Sequence, residues 1–432
     1  MPARQTLWTQ IINDQCDHDF GTFQAVGLYQ KSLSDSGKSV AGYFLFNCKN
    51  SLTVKGDDAI DNITQRDVRA EWIGLPSNFE GKFSINPEQK QSGFLLEYSQ
   101  KLRRFTSHKF FKNIYINLSL PFVWVKNNTN LTGNQEIINA FNQKTWLFSK
   151  ISNHEQKSHG VAEIRGSIGT TIYNEDDFLV ATETIAIIPL KKYKCPDYLL
   201  TPIVGTNAKL GFATNLRFDL PLHEYCSSYK AIVFFCIEGQ YYLKDKQRRT
   251  LDLRHKPWSR YMLYQNQYSG EIVPGVNILS PWVIVNPYCF VEIDTGLRFE
   301  IKGFNFELGY NFWSNGREKI ELEANCCQKT DFVFQNYGIS GNLPLTSASN
   351  STINNQAPKD SSFVTLMPTD LDFQSGGTRG AEVNKFYAFW GYKTETCKPV
   401  SFFSGIGGSI EVPDSNTAFK QVTCWFKLGC EF

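Results

Sequence analysis

Apolar and polar residues alternate one for one through long stretches of this 432-residue chain. Over residues 421–432, Val422, Cys424, Phe426, Leu428, Cys430 and Phe432 fall on one side of an extended backbone. Gln421, Thr423, Trp425, Lys427, Gly429 and Glu431 fall on the other. A period of two at this length predicts a β-strand with a different environment on each face. GTNAKLGFATNLRFDL sets Leu210, Phe212, Leu216, Phe218 and Leu220 against Lys209, Asn215, Arg217 and Asp219, and VAEIRGSIGTTIY sets Ile164, Ile168 and Ile172 against Glu163, Arg165 and Ser167. The best-phased pair is VEIDTGLRFE and NFELGYNF around Lys302-Gly303. Val291, Ile293, Leu297, Phe299, Ile301, Phe304, Phe306 and Leu308 share one face there, and Glu292, Asp294, Arg298, Glu300, Asn305 and Glu307 the other. A two-residue hairpin puts the residues flanking its turn on the same side, as Ile301 and Phe304 require.

The same reading along the chain gives about fourteen strands (range 12–16), at 20–32, 39–46, 50–56, 91–100, 110–125, 160–173, 178–188, 205–220, 229–243, 289–301, 304–313, 381–393, 400–412 and 418–432. Many run to about 10–16 residues, against the 5–6 usual in soluble sheets. Short links at 174–177, 221–228, 302–303 and 394–399 mostly alternate with long ones at 56–90, 126–159, 189–204, 244–288 and 314–380, while 413–417 is a short link on the long-loop side. The pattern divides the chain into an N-terminal segment, 1–19, and one antiparallel β-barrel, 20–432. Its large loops are 56–90, 126–159, 244–288 and 314–380. Two loop stretches carry helical spacing: Ile60, Ile63, Val68 and Trp72, then Ile137, Ile138, Phe141 and Leu147.

Composition narrows the class. A formal charge of +2 gives no basic signature for nucleic acid. No apolar run approaches the roughly 18 residues of a membrane helix, whereas a barrel strand needs apolar residues only at every second position. The opening MPARQTLWTQIINDQCDHDF has no basic stretch leading into an apolar one, so it reads as no signal peptide.

With its terminal strand closing on Phe432, the chain resembles the transmembrane β-barrels of Gram-negative outer membranes, and its cysteine-rich character is similar to the major outer-membrane porins of intracellular bacteria such as chlamydiae. The resemblance implies an outer-membrane location, a lipid-facing surface and passive diffusion of small hydrophilic solutes. It implies no enzymatic activity and no cofactor. It also implies that Phe432 is an assembly signal read by the barrel-assembly machinery. The lumen-facing charges are then Glu163, Arg165, Lys209, Arg217, Glu292, Asp294, Arg298, Glu300, Glu307, Lys427 and Glu431, and mixed charges around a water-filled bore confer weak ion selectivity. Two other readings fit the alternation: a surface-exposed structural or adhesive barrel with a blocked lumen, and a soluble sandwich or capsid-type fold.

Local motifs add little chemistry. His154 and His159 in HEQKSH are one residue too far apart for a helical zinc motif. SGIGGS at 404–409 lacks the strand–turn–helix setting of a phosphate loop, and its glycines are expected to admit a close neighbour. Eleven cysteines, an odd number, predict disulfides with at least one cysteine left either to stay a free thiol or to cross-link a second copy into a disulfide-linked homo-oligomer. In the fourteen-strand arrangement Cys48, Cys226, Cys397 and Cys430 sit at the rim of short turns, and Cys195, Cys326 and Cys327 at the opposite one.

Overall fold

The computed structural model describes residues 21–59, 66–104, 111, 113–175, 178–224, 229–322, 333–340, 352–354, 363–394 and 400–432. Twelve strands close on themselves in antiparallel order. They are β1 Gly21–Ser32, β2 Glu88–Lys101, β3 Ile114–Asn128, β4 Glu163–Glu175, β5 Phe178–Pro189, β6 Gly211–Glu224, β7 Tyr229–Tyr242, β8 Phe290–Ile301, β9 Phe304–Asn315, β10 Ala381–Lys393, β11 Ser401–Pro413 and β12 Gln421–Glu431. Each pairs with its sequence neighbour, and β1 pairs with both β2 and β12 to complete the cylinder. At that seam Gly21 N donates to Phe432 O at 2.7 Å, and Phe432 N to Gly21 O at 2.9 Å. Closure leaves no sheet edge, which replaces the soluble sandwich reading. A thirteenth segment, Gln156–Val161, continues the line of β4. It pairs with Phe122–Asn127 of β3, while β4 pairs with Ile114–Ser119, and the register slips by one residue around Ala162.

Two of the expected strands lie outside the barrel. Of the segment 39–46, residues 39–44 belong to helix α1, Ser34–Phe44, and Leu45 caps it. The other, Ser51–Lys55, pairs with Glu80–Ser84 in a small separate sheet. A short apolar run does not distinguish strand from buried helix, and SVAGYF supplies only such a run. Removing these two from fourteen gives the twelve observed.

Alternation decides which face meets lipid. Phe426 is 47% exposed and Leu428 50%, whereas Lys427 between them is completely buried. Phe306, Leu308, Trp390 and Ile406 continue the apolar belt around the outside. Aromatic residues gather toward the rim holding Gly21 and Phe432, where Phe304 lies 4.9 Å from Tyr392. An apolar band edged by aromatics is the outer surface of a transmembrane barrel.

The two rims differ. Lys302-Gly303 joins β8 to β9 with φ of 49° and 79°, the two positive values that a type I′ hairpin turn requires. This turn shares the rim of Gly21 and Phe432 with the other short links. All the long loops leave from the opposite rim and fold together there into a cap. Residues from 33–87, 129–155, 243–289 and 316–380 share one hydrophobic core. Helix α2, Gln135–Phe141, is capped by the Asn134 side chain accepting from Glu136 N, and buries Ile137 and Phe141 in that core. Leu147 lies beyond it. Of the other helical stretch, residues 60–65 lie outside the described residues. Val68–Arg69 is extended and Ala70–Ile73 is a 3-10 turn. At the centre Trp258 stands 4.8 Å from Tyr261 and donates its indole N–H to Phe44 O at 2.9 Å, tying two loops together.

Candidate functional site: the lumen and the chamber beneath the cap

The inward positions of the strands carry the chemistry. Glu163, Arg165, Arg217, Glu292, Asp294, Arg298, Glu300, Glu307, Lys427 and Glu431 all occupy the inner register, with Glu300 near the short-turn rim. Lys209 is placed differently. It precedes β6, under the cap, and its Nζ reaches Glu318 Oε1 at 2.7 Å.

Inside the bore the charges are paired. Arg165 meets Glu238 at 2.6 Å, and Arg217 meets Asp219 at 2.5 Å. Arg298 reaches both Asp219 and Glu307, each at 3.4 Å. The Tyr387 hydroxyl bridges Asp294 at 3.0 Å and Glu307 at 3.1 Å. Gln24 donates to Glu97, and Glu183 accepts from Ser167 and from Asn117. At the short-turn rim Lys393 pairs with Glu431 at 3.0 Å. A charge without such partners would be costly inside a wall of protein and lipid, so pairing is the condition for packing these groups together.

Aromatic side chains also turn inward, and of these the alternation places Trp425 alone on the polar face. Phe234, Tyr387, Phe389, Phe403 and Trp425 are buried with Val26 and Leu95 in the bore. They fit because glycines face them: a methyl group at Gly407 would collide with the Trp425 ring, and one at Gly309 with Tyr387. SGIGGS therefore serves close packing in β11. With these rings and ion pairs in place the middle of the bore is filled: Glu307, Glu238 and Gln24 are each only 1% exposed.

Between the filled bore and the cap lies a cavity of about 700 Å³. Barrel residues Glu163, Tyr242, Phe290 and Trp313 line its floor, and Trp258, Arg260 and Arg249 belong to its cap side. A clamp holds the cap over it. Glu318, just beyond β9, accepts from Lys209 at 2.7 Å, Arg249 at 3.0 Å and Thr378 N at 3.0 Å. Burial alone raises a carboxyl pKa, but Arg249 and Lys209 outweigh it and hold Glu318 down at about 2. A second cap pair, Arg260 with Asp252, is bidentate at 2.8 Å for each bond.

The cysteines depart from expectation. Cys48, Cys195, Cys236, Cys289, Cys424 and Cys430 are all thiols, so no disulfide joins any two of the described residues. Cys48 lies on the cap side, because α1 is not a barrel strand and does not carry the chain to the other rim. Cys226, Cys326, Cys327 and Cys397 fall outside the described residues. His159 sits in Gln156–Val161 opposite Trp124 and is exposed, while His154 precedes that segment.

No protein-family model and no curated protein matches the chain. Among solved structures, an outer-membrane channel from Pseudomonas putida F1 aligns with a TM-score of 0.46 at 9% identity, covering 97% of this chain and 98% of that one. The transport unit of the autotransporter AIDA-I from Escherichia coli gives 0.39 at 7% identity, covering 99% and 94%. The β-domain of the Bordetella autotransporter BrkA gives 0.35 at 8% identity, covering 96% and 99%. The chain's own closed ring of twelve strands, apolar belt and polar interior make it a channel-like β-barrel of the bacterial outer-membrane kind.

Proposed function

We propose that this protein is an outer-membrane channel for small hydrophilic solutes, held shut at rest by its own ion pairs, and that cations pass more readily than anions. The single observation that carries the reading is the set of ion pairs that fills the bore beside its aromatic rings. Replacing buried ion pairs by well-packed apolar residues is often neutral or stabilising by about 1–4 kcal/mol, so a barrel serving only as an anchor gains little from them. Ion pairs can exchange partners and admit water, as an apolar plug cannot. Setting aside the charges near the short-turn rim, Lys393 with Glu431 and Glu300 with its register partner Lys230, nine carboxylates (Glu97, Glu163, Glu183, Asp219, Glu238, Glu292, Asp294, Glu307 and Glu411) face five cations (Arg165, Arg217, Arg298, Lys385 and Lys427). That excess favours cations in a narrow, low-dielectric passage. Passage is passive and needs no catalytic group.

In this reading the short-turn rim faces the periplasm and the cap faces outward, with lipid around the belt. Phe432, at the seam, serves as the signal for the assembly machinery. Planar-bilayer recording tests the function. The expected result is small, voltage-dependent openings whose reversal potential shifts toward cations in a salt gradient. Electrical silence of both the wild type and Arg298→Ala, with the barrel folded, would remove the channel reading. A structural barrel displaying its cap would remain, a second reading supported by the single hydrophobic core that the four long loops build together.

A further inference from the structure

One carboxylate beneath the cap stands apart from the paired network. Glu163 is 5% exposed, lines the 700 Å³ cavity, and neither accepts a hydrogen bond nor forms an ion pair among the described residues. The cation beside it on β4, Arg165, is already committed to Glu238 at 2.6 Å. Glu238 Oε1 also accepts from Gln240 Nε2 at 2.7 Å, and Gln240 Oε1 accepts from the Tyr242 hydroxyl at 2.8 Å. The other oxygen of Glu238 is buried without a hydrogen-bond partner. Tyr242 lies within electrostatic reach of Glu163, Arg165, Glu238 and Glu292 together. Of these, Glu163, Arg165 and Glu292 line the chamber; the cap-side cations Lys209 and Arg249 are taken by Glu318 and Arg260 by Asp252, so Glu163 is left as a carboxylate with no ion-pair partner among the described residues.

An aromatic wall rises beside it. Tyr242 packs edge-on against Phe290 at 5.2 Å, and Phe290 lies 5.8 Å from Trp313, all three bordering the cavity. A hard metal ion wants several converging oxygen or nitrogen donors, and no cluster of three or more metal-ligating side chains exists among the described residues. A carboxylate beside aromatic rings suits a weakly hydrated organic cation instead, drawn by charge to the acid and by the ring quadrupole to the wall. We propose that the chamber floor is a binding site for a small organic ammonium ion, with Glu163 as its counter-ion and Tyr242, Phe290 and Trp313 as its wall. The chamber is large enough, since ligand pockets commonly span about 300–1,000 Å³. The proposal concerns occupancy and stands whether or not the bore conducts.

Calorimetric titration of the full, detergent-folded chain with choline tests it, with the neutral isostere 3,3-dimethyl-1-butanol as control. Choline is expected to bind saturably at one site and the alcohol not to bind. Glu163→Gln should weaken choline by at least tenfold, and Trp313→Leu should weaken it with the acid still in place. Heat-dependent gel mobility confirms that each variant is folded. Absence of choline binding to folded wild type, equal binding by Glu163→Gln, or equal binding of the alcohol would each overturn the proposal. Conductance failing while choline still binds would overturn only the channel reading.

Discussion

Arg298 and Glu307 are direct register partners across the β8–β9 hairpin, and their side chains meet inside the barrel with Nε 3.4 Å from Oε2. Arg298 also reaches Asp219 on β6 at 3.4 Å, so one guanidinium serves carboxylates from two separate strands. Removing it leaves buried acids short of a partner. Arg298→Ala is expected to destabilise the barrel by about 3–5 kcal/mol, while Arg298→Met combined with Glu307→Met should recover much of the loss. Urea unfolding followed by gel mobility measures both. Equal loss in single and double variants would show that the pair is not the unit that matters.

Trp258 is the joint of the cap. Trp258→Ala removes its packing on Tyr261 and its hydrogen bond to Phe44 O, a change expected to cost about 3–5 kcal/mol locally. The barrel wall is separate from that core. Limited trypsin digestion should therefore cut the cap loops of the variant faster while the barrel keeps its heat-dependent mobility. Simultaneous loss of both would show the cap to be required for the barrel itself.

Acid should release the cap through Glu318. Its folded pKa, about 2, lies below the ordinary glutamate value of about 4.3. The clamp's contribution is thus fully present above that ordinary value and is lost as pH falls from about 4 toward 2, with roughly 3 kcal/mol at stake. Cap proteolysis by pepsin across that window should rise in the wild type. Glu318→Gln should already be susceptible at the upper end, and an unchanged profile would dismiss the clamp.

The outer belt makes a sharper demand on sequence than the bore. Phe426 is 47% exposed on the lipid-facing side of β12, near the middle of the strand. Phe426→Arg should cost roughly 2–4 kcal/mol in lipid. The inward Thr423→Ser should cost little. Folding yields in liposomes compare the two, and equal yields would argue against a lipid-facing belt.

How much of this was legible before the fold was seen depends on how strictly each strand alternates. In β12 only Trp425 breaks the division between greasy and polar positions, so its faces could be assigned from sequence. In β10 the run KFYAFWGY is aromatic on both faces, since Tyr387 and Phe389 fill the bore while Phe386 and Trp390 meet lipid. No period-two rule separates those pairs. The charges Asp294, Arg298 and Glu307 were visible as inward residues, but which acid each cation meets depends on barrel size and register. The Glu318 clamp was invisible for a plainer reason. Its partners Lys209 and Arg249 come from two other loops, and loop packing leaves no periodic trace.

The seam between β1 and β12 has a consequence for how the protein must be made. Strand β1 leaves one edge bare until Gln421–Glu431 arrives, a partner some four hundred positions later in synthesis. Pairing across such a separation is slow, and an unpaired edge recruits whatever strand it meets. Every other wall contact joins strands that follow one another in the chain, but the cylinder closes only in one final stitch. Until that stitch is made β1 keeps an open edge, so the last strand is the one whose delay most endangers the rest.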